Sequence, residues 1–326
     1  PPAGGRGVTP LPIVDPGPPV LYDVEHVTSY KYALPVTVSH QCAHLKPRSF
    51  ATQQVLSTQL GATPLPEIRS ERIDYFGNTV TSFSLSEPHE SLTVVAQSQV
   101  RILPPTLPAA ADTPRWEEVA ERLRLGFGAD TLDACQMLYP SGHVKTLPEV
   151  RAYALPSFPP DRPILEAAID LTGRIHADFT YDPTATTVAT PLAEVLAKRR
   201  GVCQDFAHLQ IACLRSMGLA ARYVSGYVLT CSTESGERLE GGDASHAWVS
   251  LYVPCAAAPN GGWIDLDPTN DKLITREHVT VAWGRDFEDV SPIKGVMLGG
   301  GAQTVSVAVT LRPRTNGPRA RTESPA

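Results

Sequence analysis

The sequence lacks an excess of basic residues. Lys and Arg together number 28 against 34 Asp and Glu, which gives a net charge of −6 at pH 7 with neutral histidines. Proteins that bind nucleic acid or anionic membrane surfaces usually carry a basic patch or stripe. The charge balance therefore argues against both classes, and we expect no nucleic-acid or membrane partner.

Long hydrophobic runs are absent as well. No uninterrupted apolar stretch approaches the roughly 20 residues that a membrane-spanning helix needs, so the sequence predicts a soluble protein. The chain begins at Pro1 rather than at methionine, which is compatible with a processed product that has lost a targeting segment. A cytoplasmic location is accordingly a provisional prediction.

Closely paired cysteines are the third absence. Scattered cysteines without a disulfide framework are typical of reduced thiols in a cytosolic setting. With 326 residues, the chain can bury a sizeable core and is long enough for two domains without disulfides. The six cysteines, none in a CxxC pair, are at 42, 135, 203, 213, 231 and 255.

Four segments follow one another along the chain. Residues 1–19 are dense in Pro and Gly, a composition that predicts a tail without a core of its own. Residues 20–105 contain short alternating β-prone runs and no convincing helix, which predicts an antiparallel β domain. Residues 106–312 are predicted to form a second, α+β domain, and residues 313–326 a polar tail.

The second domain is expected to begin with helices and to end with strands. Hydrophobic spacing predicts helices at 116–125 and 164–175. Thr190 is interpreted as the N-cap of a further helix, with Pro191 as its first residue and Gly201 as its C-terminal stop. Alternating runs then predict strands at 221–229, 247–253, 263–266 and 303–312.

The octapeptide GVCQDFAH at 201–208 places Cys203 where the next helix begins. Apolar residues recur at helical spacing from Phe206 onward, so Cys203 falls in or just before the first turn. Unpaired backbone N–H groups and the helix dipole favour a thiolate at this position. The alternative is that Cys203 is one more small buried residue. Position alone leaves the two interpretations equally open.

A cysteine nucleophile needs a base, and usually a third group that orients the base. His246 opens a strand-like run directly after a loop, where catalytic groups tend to lie. The next strand carries Asp265 and Asp267 near its end, which would lie beside His246 if the strands are antiparallel neighbours. Both acids share a face, so periodicity does not choose between them. Asp267 is nearer the strand end and precedes Pro268, which favours it.

Three ordered motifs give this set of residues a family resemblance. GVCQDFAH, SHAW at 245–248 and DPTN at 267–270 resemble the motifs of the bacterial branch of the transglutaminase-like superfamily, and the similarity covers nearly all of residues 20–312. The resemblance implies a papain-like α+β core preceded by a β domain. It also implies Cys203 as nucleophile, His246 as base and acid, and Asp267 rather than Asp265 as the orienting carboxylate.

The resemblance implies a cysteine acyltransferase, amidase or protease. Such an enzyme attacks a carboxamide or peptide bond of a protein or peptide, forms a thioester, and passes the acyl group to water or to a primary amine. It requires no cofactor. Gln204 stands where animal transglutaminases have tryptophan, which leaves the acyl acceptor open. The alternative function is a binding or scaffold protein that keeps the fold without turnover, and the oligomeric state is left open.

Further residues are candidates for supporting roles. Tyr181 is a candidate oxyanion donor, with an ordinary β-strand aromatic as the alternative. Gln204 and Trp248 are candidates for contacts with the substrate. Asp205, in the first turn of the cysteine helix, is interpreted as a cap rather than as part of a network behind the thiol. His40, Cys42 and His44 alternate like zinc ligands on one strand face, but no fourth ligand is evident, so no metal site is predicted.

Overall fold

The computed structural model describes a strand-rich part and a part in which helices pack on a second sheet. The predicted tails lie almost wholly outside the described residues, as does Cys231. No helix in the described part of the chain is long and apolar enough to cross a membrane. The described residues are 17–126, 129–229, 244–274 and 276–314.

Strands dominate both ends of the chain, and most helices lie between them. The strands are β1 (Val20–Ala43), β2 (Gln53–Thr63), β3 (Ile68–Ile73), β4 (Thr79–Leu85), β5 (His89–Ile102), β6 (Thr180–Tyr181), β7 (Arg200–Gly201), β8 (Ala221–Val228), β9 (Ala244–Tyr252), β10 (Trp263–Asp267), β11 (Lys272–Leu273), β12 (His278–Gly284), β13 (Ile293–Gly299) and β14 (Gln303–Arg314). The helices are α1 (Trp116–Leu125), α2 (Ala129–Cys135), α3 (Pro148–Ala154), α4 (Ile164–Asp178), α5 (Leu192–Lys198), α6 (Cys203–Ser216), and the single turns α7 (Pro259–Gly262) and α8 (Phe287–Val290).

The first sheet is antiparallel and built around β1. This strand of 24 residues pairs with β4 and β5, and β3 and β2 continue the sheet beyond them. Every second residue from Tyr22 to Thr28 is buried, the period expected of a strand with one face on a core. The structure thus contains the predicted N-terminal β domain.

The last two strands pair with the first sheet rather than with the second. The sequence assigns the strand at 303–312 to the second domain, but β14 pairs with β1 along the stretch from Leu21 to Tyr32. Strand β13 pairs with the later part of β1. The chain therefore returns to the first sheet after completing the second. Alternation shows which face of a strand is buried but does not identify its neighbour, so the sequence could not reveal this pairing.

The second sheet has the order β11-β10-β9-β8-β12, and all its pairs are antiparallel. Helix α6 packs on β8 and β9, and α3, α4 and α5 surround it. All residues of α6 from Asp205 to Arg215 are buried, so this helix lies at the centre of the domain. The predicted α+β class, with a β domain preceding a helix-on-sheet core, is confirmed.

The segment before α6 differs from the prediction. The N-cap of α5 is Pro191 rather than Thr190, and its C-cap is Arg199, which adopts a left-handed conformation with φ 55°. A positive φ is uncommon outside glycine, which is why the sequence favours Gly201 as the stop. Gly201 instead pairs with Tyr181 in a short parallel ladder. A Cβ at Gly201 would lie 2.6 Å from Asp205 Oδ2, so this glycine makes room for that carboxylate.

Side chains of the β domain form hydrogen bonds with backbone groups at the open edge of the second sheet. Strand β12 is an edge strand, and edge strands carry unpaired backbone groups. The buried side chain of Gln53 donates to the Thr280 carbonyl at 2.7 Å and accepts from the Thr280 N–H at 2.8 Å. Asn78 bonds the carbonyl and N–H of Trp283 in the same way, at 2.9 and 3.0 Å. Two side-chain amides thus replace a neighbouring strand and fix one domain against the other.

Candidate active site

Cys203 is the first helical residue of α6, as predicted, and Val202 is the N-cap. Its side chain is half-buried beside the large hydrophobic core. The Asp205 carboxylate accepts hydrogen bonds from the Val202 N–H at 2.8 Å and from the Thr186 hydroxyl at 2.6 Å. Burial raises the pKa of Asp205 despite these bonds. Asp205 therefore caps the helix that presents Cys203.

His246 has partners on two sides. Its Nε2 lies 2.8 Å from Asp267 Oδ2, and Cys203 lies near enough to its ring to influence its pKa. Since Nε2 is engaged by Asp267, Nδ1 is the nitrogen left for the thiol. Burial lowers the pKa of His246, but the interactions with Asp267 and Cys203 outweigh burial and raise it to about 10. The protonated ring is therefore the favoured form at neutral pH.

Asp267 is fully buried and surrounded by donors. Its Oδ1 accepts from the backbone N–H groups of Thr269 at 2.9 Å and Asn270 at 3.2 Å, and its Oδ2 accepts from the Asn270 amide at 2.6 Å. This is an Asx-type turn, in which an acid binds the backbone that follows it. Burial raises the pKa of Asp267, but the hydrogen bonds to His246 and His278 and the charge interactions with both rings hold it well below its usual value.

The structure distinguishes the two acids that periodicity leaves equivalent. Strand β10 is antiparallel to β9, with Leu266 opposite Val249, so Asp267 lies one residue further toward His246. Asp265 Oδ2 instead accepts a hydrogen bond from Trp248 Nε1 at 3.1 Å. The expected strand arrangement and the expected proximity of His246 and Asp267 are both observed.

A second histidine on Asp267 was not predicted from the sequence. His278 Nε2 lies 3.1 Å from Asp267 Oδ2, and the ring is buried. Burial lowers the pKa of His278 and outweighs the opposing effect of Asp267, so His278 is neutral and donates through Nε2. Its Nδ1 is buried without a hydrogen-bond partner. His278 is the first residue of β12, and His246 is close to the start of β9. A histidine at the start of a strand is the sequence signal that could have identified His278 as a candidate.

The other predicted site residues, Tyr181, Gln204 and Trp248, differ in how far they are exposed. Tyr181 pairs with Gly201 in register and remains about half exposed. Burial, with a smaller contribution from Cys203, raises the pKa of Tyr181. Gln204 is half-buried. Trp248 is completely buried, so it does not line a substrate groove and instead supports the ring of His246, 6.2 Å away between centroids.

The His40 and Cys42 side chains bond serines rather than one another. His40 Nδ1 lies 2.7 Å from the Ser84 hydroxyl, and Cys42 Sγ lies 3.4 Å from that of Ser82. His44 Nδ1 donates to a backbone carbonyl. Among the described residues, the group with convergent metal-ligand atoms is His246, Asp267 and His278, whose ligand atoms lie within 4.8 Å of one another. The hydrogen bonds to Asp267 account for that convergence.

Two family models match the chain. The bacterial transglutaminase-like N-terminal region covers residues 22–101, and the transglutaminase-like superfamily model covers residues 155–268. An uncharacterized protein of Mycobacterium tuberculosis is 39% identical over 276 residues, which span 85% of this chain and 87% of that protein. The chain belongs to the transglutaminase-like superfamily. Its N-terminal β domain is of the type found in the bacterial members.

Other relatives extend the comparison. An uncharacterized protein of Mycobacterium leprae is 35% identical over 290 residues, covering 88% of this chain and 97% of its own. The crystal structure of "a Putative Cysteine Protease from Cytophaga hutchinsonii" superimposes with a TM-score of 0.71 at 18% identity, over 92% of this chain and 93% of that one. This likeness shows that the two proteins share their fold across both domains.

Proposed function

We propose that the protein is a cysteine-dependent amide acyltransferase or hydrolase. The observation that carries the proposal is the placement of Cys203 as the first residue of α6 near His246, whose Nε2 lies 2.8 Å from Asp267 Oδ2. A protonated imidazole beside a sulfur at a helix N-terminus favours the thiolate, which is the nucleophilic form. The buried Asp267 carboxylate orients the ring and stabilises its positive charge.

In the first half of the proposed reaction, Cys203 Sγ attacks the carbonyl carbon of a carboxamide or peptide bond. The oxyanion that forms accepts hydrogen bonds from the backbone N–H at the start of α6 and from the Tyr181 hydroxyl group. His246 gives its proton to the departing nitrogen, so ammonia or an amine leaves and a thioester remains on Cys203.

In the second half, His246 is neutral and acts as a base. It takes a proton from water or from a primary amine as that nucleophile attacks the thioester carbonyl carbon. Sulfur leaves as the thiolate, and His246 is again protonated. Water yields a carboxylic acid, whereas an amine yields a new amide. The access of water to the thioester decides between these two outcomes.

A glutamine-containing peptide offered together with a biotin-tagged primary amine tests the proposal. Incorporation of the tag indicates acyl transfer, while release of ammonia or of a new peptide end without the tag indicates hydrolysis. The Cys203→Ala variant should give neither product. Release that continues at the wild-type rate in this variant would refute the proposal, and the absence of any thioester on the wild type would favour the scaffold alternative.

A further inference from the structure

A cavity of about 900 Å³ lies between the β domain and the second sheet. Arg48 and Phe76 line it from the β domain, and Arg222, Trp263 and Trp283 line it from the sheet. Arg222 precedes Gly226, the register partner of His246, by four positions on β8, or roughly 13 Å along the strand. None of the residues assigned above to the reaction lines this cavity.

Aromatic rings enclose the Arg222 guanidinium. Its Cζ lies 3.7 Å from the ring centroid of Trp283 and 4.1 Å from that of Trp263. Arg48 also stacks on Trp283, with its Cζ 3.1 Å from the same centroid. Stacking occupies the faces of a guanidinium and leaves its N–H groups free at the edge. A ligand can therefore approach Arg222 in the plane of its N–H groups.

Those N–H groups have no acceptor in the described part of the chain. Arg222 is 7% exposed, its Nε is buried without a partner, and no hydrogen bond or ion pair involves its guanidinium. Arg215 is similarly buried at 8% exposure. It donates to the carbonyls of Tyr139, Ala221 and Arg285 at 2.8–3.0 Å. A buried charge normally has partners of this kind, so Arg222 is the exception of the two.

Other polar groups of the same cavity are also unsatisfied. Arg48 Nε and Gln136 Oε1 are buried without partners, and both residues line the cavity. Burial lowers the pKa of Arg222 to about 9, with Asp265 opposing and Arg48 adding to that effect. Arg222 is thus charged at neutral pH and repelled by a neighbouring cation. The nearby carboxylate of Asp265 is engaged by Trp248, and Asp133 is exposed.

We propose that this cavity binds an organic oxyanion, a carboxylate or phosphate group attached to an apolar body. Two oxygens of the group would accept the in-plane N–H groups of Arg222, the bidentate geometry that guanidinium favours. The apolar body would pack on Phe76 and the two indoles. The volume of about 900 Å³ suits a small organic molecule and far exceeds an inorganic ion. Binding of this kind is independent of chemistry at Cys203.

Titrations with phenylphosphate, phenylacetate and inorganic phosphate, followed by tryptophan fluorescence and calorimetry, test the proposal. Benzyl alcohol is the neutral probe. We expect saturable binding of at least one aromatic anion, with a Kd about 10-fold or more below that of benzyl alcohol, because an unpaired buried charge gains an acceptor. Comparison of the two aromatic anions identifies the preferred group. Failure of both to saturate the wild type at about 10 mM would overturn the proposal.

Arg222→Lys keeps the positive charge but loses the planar pair of donors, so we expect the Kd of the preferred anion to rise about 10-fold. The matched control is Arg174→Lys, because Arg174 also stacks on an aromatic ring, that of Tyr153, but already donates to Ser157. The control should bind as the wild type does. Equal affinity in the wild type and Arg222→Lys would overturn the proposal.

A measurement on the wild type alone covers the case in which Arg222→Lys does not fold. The preferred anion should slow modification of Arg222 by phenylglyoxal, mapped by peptide mass, and should not slow that of Arg174. Equal rates at Arg222 with and without the anion would also contradict the proposal.

Discussion

Asp267 and Arg222 lie on the same face of the second sheet, and their surroundings differ sharply. Asp267 is a buried anion whose two oxygens accept five hydrogen bonds. Arg222 is a buried cation enclosed by aromatic faces, with no acceptor among the described residues. A buried charge with a complete set of hydrogen-bond partners is held in place for one role, whereas a buried charge without such partners is available to bind a ligand.

The largest expected effect separates Asp267 from Asp265. Asp267→Asn should lower kcat by about 10³- to 10⁴-fold, because the orientation of His246 and the stabilisation of its charge are both lost. Asp265→Asn should cost less than about 10-fold, since Asp265 bonds Trp248 and not His246. Steady-state kinetics with the peptide substrate measure both values. Equal losses in the two variants would mean that Asp267 has no special role.

The next effect concerns the amide contacts on β12, at the edge of the same sheet. Gln53→Ala should lower the free energy of unfolding by about 1–3 kcal/mol, because Thr280 is left with a buried, unpaired N–H and carbonyl. The matched control is Gln59→Ala, which removes an exposed bond to Gln97 and should change stability by less than about 0.5 kcal/mol. Urea unfolding measures both. Similar values would show that the edge contacts contribute little.

A smaller effect is expected from His278, a positioning residue that acts through Asp267. His278→Leu should lower kcat by about 10-fold with little change in KM, as for other partners that orient a functional group. With one donor fewer on Asp267, the His246 imidazolium is more stable, so the alkaline limb of the kcat profile should move to higher pH. An unchanged limb accompanied by a lower melting temperature would indicate a structural role only.

The ionic state of His246 also affects stability. Its folded-state pKa is raised to about 10 from an ordinary value of 6.5, so its contribution is complete below pH 6.5 and disappears as pH rises through about 10. Asp267 has the opposite sign, because its pKa is lowered and its contribution is lost as pH falls below 3.8. The urea midpoint of the wild type should therefore decline at alkaline pH, and His246→Ala should remove that decline. A variant of the exposed His40 should retain it.

Local chemistry explains which parts of the site the sequence predicted. Cys203 could be placed because the start of a helix is visible in a few consecutive residues, and Asp267 could be favoured because Pro268 marks a strand end. The choice between Asp267 and Asp265 required the pairing register of β9 and β10, and the sequence of a short strand does not reveal its register. The pairing of β14 with β1 was missed for the same reason.

The missed features depend on neighbours that are distant in the sequence. His278 reaches Asp267 only because β12 lies beside β8 in the folded sheet. The stack of Arg48, Trp283, Arg222 and Trp263 combines residues from the β domain and from three strands of the second sheet. No periodicity in a single segment predicts such an assembly.

The most direct measurement is the rate of iodoacetamide alkylation at Cys203 as a function of pH, followed by peptide mass in the wild type and in His246→Ala. If His246 holds the thiolate, wild-type Cys203 should react at pH 6 much faster than Cys42, Cys135 and Cys255, and His246→Ala should lose most of this advantage. A Cys203 that reacts no faster than these other thiols at pH 6, or that reacts equally fast without His246, would contradict the account.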